Sequence, residues 1–189
     1  MNKGNKTGLI IGGIVVLIIG WGIMSYNSLV SREAEVDSQW ANVESKLQRR
    51  YDLVPNLVNS VKGSMKQEQE VFGNIADARA KMSGAKSVKE VSEASGEMES
   101  ALSRLLVVME NYPELKSNEN VNTLMTQLEG TENRISVERD RYNKSVKGYN
   151  VSIKRFPKSI IANMSGFDQK EYFEAEKGAE KAPTVDFDE

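Results

Sequence analysis

The sequence of 189 residues contains neither cysteine nor histidine. The first absence excludes disulfides, thiolate chemistry and acylation of a cysteine; the second removes the usual general base and the commonest metal ligand. Charge of one sign is lacking as well. With a net charge of −2 and both signs interspersed, there is no basic footprint for nucleic acid and no helix-turn-helix or RNA-binding signature. No glycine-rich phosphate loop is present either, because Gly12-Gly13 falls inside an apolar stretch and the remaining glycines are isolated.

What is present begins with that stretch. Residues 7–31 carry no charge, and at about 1.5 Å per helical residue they are long enough to cross a hydrocarbon core of roughly 30 Å. Trp21 and Tyr26 stand at the far end, as interfacial aromatics do. A cleaved signal peptide with Lys3 and Lys6 as its charged head is the rival reading. The apolar run exceeds a typical signal core, however, and no small-x-small cleavage site follows. Gly8 to Gly12 spells a small-xxx-small pattern that could pack two anchors, though ordinary membrane glycines explain it equally. Lys3, Lys6 and the amino terminus precede the span; Arg32 is followed by Glu33, Glu35 and Asp37, and the next cations are Lys46, Arg49 and Arg50. This favours an amino terminus inside and a large domain outside the cytoplasmic membrane, for which a lack of cysteine is compatible.

The rest of the chain repeats apolar residues at steps of three and four, the signature of amphipathic helices. A first run passes from Val36, Trp40, Val43 and Leu47 through Tyr51, Val54, Val58, Val61 and Met65 to Phe72, Ile75 and Met82. Its one phase slip, Leu47 to Tyr51, has the form of a coiled-coil stutter. Pro55 follows the seam residue Val54 without disturbing the register, so it is expected to kink the helix. The alternative is a new helix that starts there with Asp52 as its N-cap. A second run extends from Val88 through Ser95, Leu102 and Leu105 to Tyr112, and a third from Val121 to Phe156. The linkers "SGAKS" and "YPELKSNEN" are short and hold turn residues, with Asn118 or Asn120 available as a cap, so neighbouring helices should be antiparallel. A short segment after Pro157 could fold back, with Gly166 as its stop.

Glu68, Arg79, Glu132 and Arg139 occupy seam positions, and a buried charge must find a partner. If the third helix runs parallel to the first, the four charges form one mixed polar layer. Its structural role would be to fix register, as polar seam residues do in coiled coils; its functional alternative is an active layer of Glu68, Glu132 and Arg139. Inward glutamates also occur in di-iron bundles, but those need histidines that are absent here. Glycoside hydrolysis would require a cleft that close heptad packing does not provide.

The stretches "RRYDLVPNLVNSVKG", "LSRLLVVMENYPELKSNENV", "LEGTENRISVERDRYNKSVKGYN" and "FPKSIIANMSGF", followed by "YF" and "APTVDF", occur in order over nearly the whole chain. In this the sequence resembles the LemA family. The resemblance implies a single-pass membrane protein with a helical bundle and no established enzymatic activity. Carried onto this chain, the signature positions are Arg49, Arg50, Asp52, Pro55 and Asn56, then Tyr112, Pro113 and Lys116. They continue with Thr131, Glu132, Asn133, Arg139, Tyr142 and Asn143, and end with Phe156, Pro157, Gly166 and Phe167. Packing, capping and partner recognition are the roles open to them. Ser64, Gln67 and Val121 depart from the family pattern.

The expected protein is therefore all-α: a charged start (1–6), a transmembrane anchor (7–31), an elongated antiparallel bundle of three long helices plus a short C-terminal helix (32–167), and an acidic, partly mobile tail (168–189). The tail holds eight acidic and three basic residues. No enzyme, metal or cofactor is expected. The partners expected are the lipid bilayer through residues 7–31, other envelope proteins and further copies of the chain, with no nucleic acid. The function expected is that of a scaffold or adaptor at the inner membrane, and its alternative is an enzyme or enzyme regulator that uses the seam layer.

Overall fold

A computed structural model describes residues 3–174, with side chains from residue 9 onward. Six helices follow one another: α1 (Lys3–Val61), α2 (Gln69–Gly84), α3 (Val88–Met109), α4 (Pro113–Lys116), α5 (Glu119–Lys154) and α6 (Lys158–Ser165). Among the described residues there is no strand. The all-α architecture with a long apolar N-terminal helix is thus as expected, and Pro55 lies inside α1 rather than at a break. Asp52 does not act as a cap; its Oδ1 accepts a bond from Gln48 Nε2 at 2.8 Å.

The first heptad run nevertheless contains a break, seven residues beyond Pro55. Residues 62–68 form turns between α1 and α2. Gly63 and Ser64 weaken the helix there, and Met65, fully buried, plugs the corner. A buried corner residue at the right interval looks like continued periodicity. Because the chain reverses at this corner, three heptad runs become four long helical segments. The third run is then antiparallel to the first, which corrects the parallel arrangement expected from counting runs.

The chain divides into two compact units. One comprises Asn42–Asp140 together with the segment from Glu171. Here α1, α2, α3 and the first part of α5 run up, down, up and down. Arg79 of α2 lies over the Tyr51 ring of α1 at 4.2 Å, Lys81 of α2 pairs with Glu97 of α3 at 2.6 Å, and Arg50 of α1 pairs with Glu132 of α5 at 3.0 Å. The core gathers Val54, Leu57, Val61 and Met65 with Phe72, Ile75, Met98, Leu105 and Leu128. A capping box starts α3: Ser87 Oγ accepts from Glu90 N–H at 3.2 Å, while Glu90 Oε2 accepts from the Lys86 and Ser87 N–H groups. Those two backbone donors hold the Glu90 carboxyl below its ordinary range. Asn118 caps α5 by accepting from the N–H groups of Asn120 and Val121.

The other unit comprises Met1–Ala41 and Arg141–Lys170. The early part of α1 packs antiparallel to the late part of α5: Trp40 meets Tyr142 in a tilted contact with ring centroids 5.2 Å apart, and Lys158 Nζ donates to Ser28 Oγ at 2.9 Å. α6 lies beside Gly22, where Ile161 comes within 3.9 Å of the position a Cβ would take. It ends at Gly166, whose φ of 73° is left-handed; the Phe167 N–H then reaches back to the Ala162 carbonyl at 3.0 Å, closing a Schellman turn. Phe167 packs on Tyr26. Asn150 makes a two-way bond with the backbone of Lys170, and Lys170 Nζ bridges Glu33 at 2.9 Å and Asp37 at 3.5 Å. Lys170, at the start of the tail expected to be partly mobile, is therefore held in the fold. In the same way Phe173, in the other unit, is 2% exposed. The remaining tail, 175–189, lies outside the described residues.

From Leu9 to Ile19 the described side chains of α1 are uncovered. Leu9, Ile10, Ile11 and every large apolar residue from Ile14 to Ile19 are 48–73% exposed, and the helix is long and apolar enough to cross a membrane. Exposed on all sides, this surface needs lipid or its equivalent.

Candidate functional site

Four helical segments leave two features on the Asn42–Asp140 unit that packing alone does not explain. The first is Arg50. Its side chain is 2% exposed, yet it is among the largest fully buried groups. Its Nη1 donates to both carboxylate oxygens of Glu132 at 3.0 and 3.1 Å, while Nη2 donates to Ser95 Oγ at 2.6 Å and to the Ser95 carbonyl at 3.3 Å. Room for the guanidinium comes from α3, whose buried face there is small: Ser92, Ala94, Ser95 and Gly96. A desolvated cation with this many partners joins α1, α3 and α5 at one level.

Arg50 also removes the supposed stutter. From Val36 onward the buried residues of α1 are Val36, Val43, Leu47, Arg50, Val54, Leu57 and Val61, so from Val43 onward steps of four and three alternate without a slip. Sequence reading placed Tyr51 and Val58 on the seam because they are apolar; both are only half-buried. Ser95 was placed on the seam, but its service as an acceptor for Arg50 was missed. The signal was available: a basic residue in strict register with a seam glutamate on another run.

The four seam charges do not share a layer. Glu132 takes Arg50, and Glu68 Oε1 accepts the Tyr112 hydroxyl at 3.0 Å, a bond that raises the phenol above its ordinary range. Arg79 stacks on Tyr51. Arg139 lies 4.6 Å over the Phe173 ring and donates to the Glu174 carbonyl. With the helices antiparallel, the level-counting that united these charges no longer applies. The candidate active layer of Glu68, Glu132 and Arg139 is therefore replaced by separate local contacts.

Other signature positions have mostly local work. Pro113 opens α4 after Tyr112, and the Lys116 carbonyl accepts from Asn122 at 2.8 Å. Asn56 bridges turns of α1 through the Asp52 carbonyl. Buried Thr131 donates to the Gln127 carbonyl at 2.7 Å. Arg49 and Asn133 are exposed, and Asn143 is half-buried. In the unit containing the apolar span, Tyr142 is buried against Trp40, and Pro157 precedes α6. Phe156, placed on the seam from periodicity, is 76% exposed because α5 has already ended at Lys154.

The second feature is a groove of about 550 Å³ between α3 and α5. Its floor is apolar, with Leu57, Leu102, Leu106, Met125 and Leu128, and its rim carries Glu99, Glu129 and Glu132. Leu106 is 41% and neighbouring Val107 70% exposed. Glu99 and Glu129 make no ion pair among the described residues. One end of the groove is thus set by the carboxylate that Arg50 holds.

Comparison with known proteins places this arrangement. The sequence is similar to Magnetosome protein MamQ 2 of Paramagnetospirillum magneticum, 29% identical over 90% of this chain and 72% of that protein. It is similarly related to Magnetosome protein MamQ of Magnetospirillum gryphiswaldense, 29% identical over 86% of this chain and 69% of that protein. The model of the LemA family matches residues 39–187, which include Arg50, Glu132 and the groove. This membrane-associated helical protein belongs to the LemA family.

Proposed function

We propose that the protein is a single-pass adaptor of the bacterial envelope, anchored in the inner membrane by residues 7–31, amino terminus inside, which acts by binding other proteins rather than by catalysis. The observation that carries this reading is the groove between α3 and α5. An apolar floor, half-exposed leucine and methionine side chains and a rim on which Glu99 and Glu129 have no ion partner among the described residues suit an amphipathic helix with basic flanks. Envelope proteins with a basic amphipathic segment are the occupant we infer. A second copy of the chain is the other outcome of the test.

A photo-crosslinker at Leu106 in the full chain, expressed in intact cells, tests the reading. The expected result is a discrete adduct with a second polypeptide that is lost with Glu99→Lys/Glu129→Lys. An adduct at the mass of a dimer identifies self-association in place of a foreign partner. Absence of any adduct, with normal adducts from a crosslinker in the apolar span, overturns the adaptor assignment.

A further inference from the structure

The unit that carries the apolar span has a second groove, about 660 Å³, between α1, the end of α5 and the start of α6. Among the described residues five cations line it, Arg32, Lys144, Lys147, Arg155 and Lys158, and no carboxylate does. Lys158 is held by Ser28. Arg32, Lys144, Lys147 and Arg155 have neither an ion pair nor a side-chain hydrogen bond among the described residues. Cations near a helix C-terminus are favoured by the dipole, which accounts for Arg155. It does not account for Arg32 on another helix, nor for Lys144 and Lys147, two turns or more before α5 ends.

The groove is also polarised along its length. Antiparallel packing of α1 and α5 sets the order: Arg32 lies across Gly148, 3.5 Å from the position a Cβ would take, while Ser28 meets Lys158 and Gly22 meets Ile161. Arg32, Lys144 and Lys147 therefore stand at one end and Trp21, Phe156 and Pro157 at the other, with Arg155 and Lys158 between them, Lys158 at the level of Ser28. The apolar end is the one beside the exposed span. On α6, Ile160 and Met164 continue the stripe begun by Phe156 and are 48% and 81% exposed. At the depth of Trp21 such a stripe meets acyl chains, as interfacial helices do.

We propose that this groove holds the headgroup of an anionic phospholipid from the membrane in which the chain is anchored, the phosphate among Arg32, Lys147 and Arg155 and the acyl chains leaving past Trp21 and Phe156. A phosphodiester supplies the missing negative charge, and its amphiphilic shape matches the gradient of the groove. Soluble phosphate would satisfy the cations but leave the apolar end unused.

The test uses the full chain in nonionic detergent, offered equal amounts of phosphatidylglycerol and phosphatidylcholine, with retained lipid read by native mass spectrometry. Three cations near an anionic headgroup imply a preference for phosphatidylglycerol on the order of a hundredfold. The variant Arg32→Gln/Lys147→Gln/Arg155→Gln is expected to lose that preference. Lys62→Gln/Lys66→Gln/Lys116→Gln, which removes as many exposed cations elsewhere, is expected to keep it. The proposal is overturned if the groove variant retains the preference, if both variants lose it alike, or if the wild type shows none. Complete displacement of the lipid by millimolar inorganic phosphate assigns the site to the free anion and also overturns it.

Discussion

Removing the charge of Glu132 should cost more than removing that of Arg50, although the two form one ion pair. In Glu132→Gln the guanidinium remains where it is, 2% exposed, with Ser95 as its acceptor and no counter-charge. Breaking a buried pair in this way costs about 3–5 kcal/mol; the 34% exposure of Glu132 lets water in and puts the expectation at the lower end. At a few degrees per kcal/mol for a unit of this size, about 3 kcal/mol lowers the melting temperature by roughly 10 °C. In Arg50→Met the carboxylate that remains can turn to water, so the loss should be about 1–2 kcal/mol, mainly of hydrogen bonds. Arg50→Met/Glu132→Leu should fall within about 1 kcal/mol of wild type, since an apolar replacement of a buried pair is often neutral. Urea unfolding of the full chain in mild detergent, followed by far-UV circular dichroism, measures all three. Equal costs for the two single variants, or a coupling below about 0.5 kcal/mol in the double-mutant cycle, would refute the account of Arg50 as a desolvated charge.

Three further outcomes follow from the same structure. Pro55→Ala should stabilise α1 by about 2–2.6 kcal/mol, because the alanine N–H can bond the Tyr51 carbonyl and the roughly 3 kcal/mol propensity penalty outweighs an unfolded-state gain of about 0.4–1 kcal/mol. A lower urea midpoint would show instead that the packing around α1 depends on the proline. Ser87→Ala should cost about 1 kcal/mol through loss of the capping box, read as faster amide exchange in the first turn of α3; unchanged exchange would discount the cap. The pairing of Lys170 with Glu33 raises the ammonium above its ordinary 10.5. A folded-state pKa above the unfolded value gives stability that is whole below pH 10.5 and declines as pH rises through the folded value. Melting curves across that range should converge with those of Lys170→Met at the alkaline end, and parallel curves would sink the linkage.

Much of this architecture was legible because helices of this length write their seams plainly. Val36, Val43, Leu47, Val54 and Val61, then Leu105, and Ile135, Tyr142, Val146, Tyr149 and Ile153 are buried where the three-four rule places them. Arg50 was not read as core because a hydrophobicity criterion skips charges, and skipping it manufactured a stutter. The corner at residues 62–68 was invisible for the opposite reason, since Met65 maintained the spacing while the backbone left the helix. Ser87 and Glu90 spell a capping box at the end of the linker "SGAKS", whose turn residues mark the same boundary. Neither groove could be read from sequence: each takes side chains from helices separated along the chain, and their proximity depends on the direction of α5, which the missed corner reverses.

α1 passes from its lipid-suited segment into the packed part of its unit with no linker, as one hydrogen-bonded helix. Each added residue in such a rod advances it by about 1.5 Å and turns it by roughly 100°. In the proposed anchoring, the azimuth of residues 7–31 within the bilayer and the direction in which α6 and its neighbouring cations point are therefore geared together. A one-residue insertion at Leu17 would swing that face about a quarter-turn around the membrane normal, whereas insertions of seven would nearly restore its heading and only raise it. The anchor is thus also a compass, and its length is a coordinate that selection can tune separately from its greasiness.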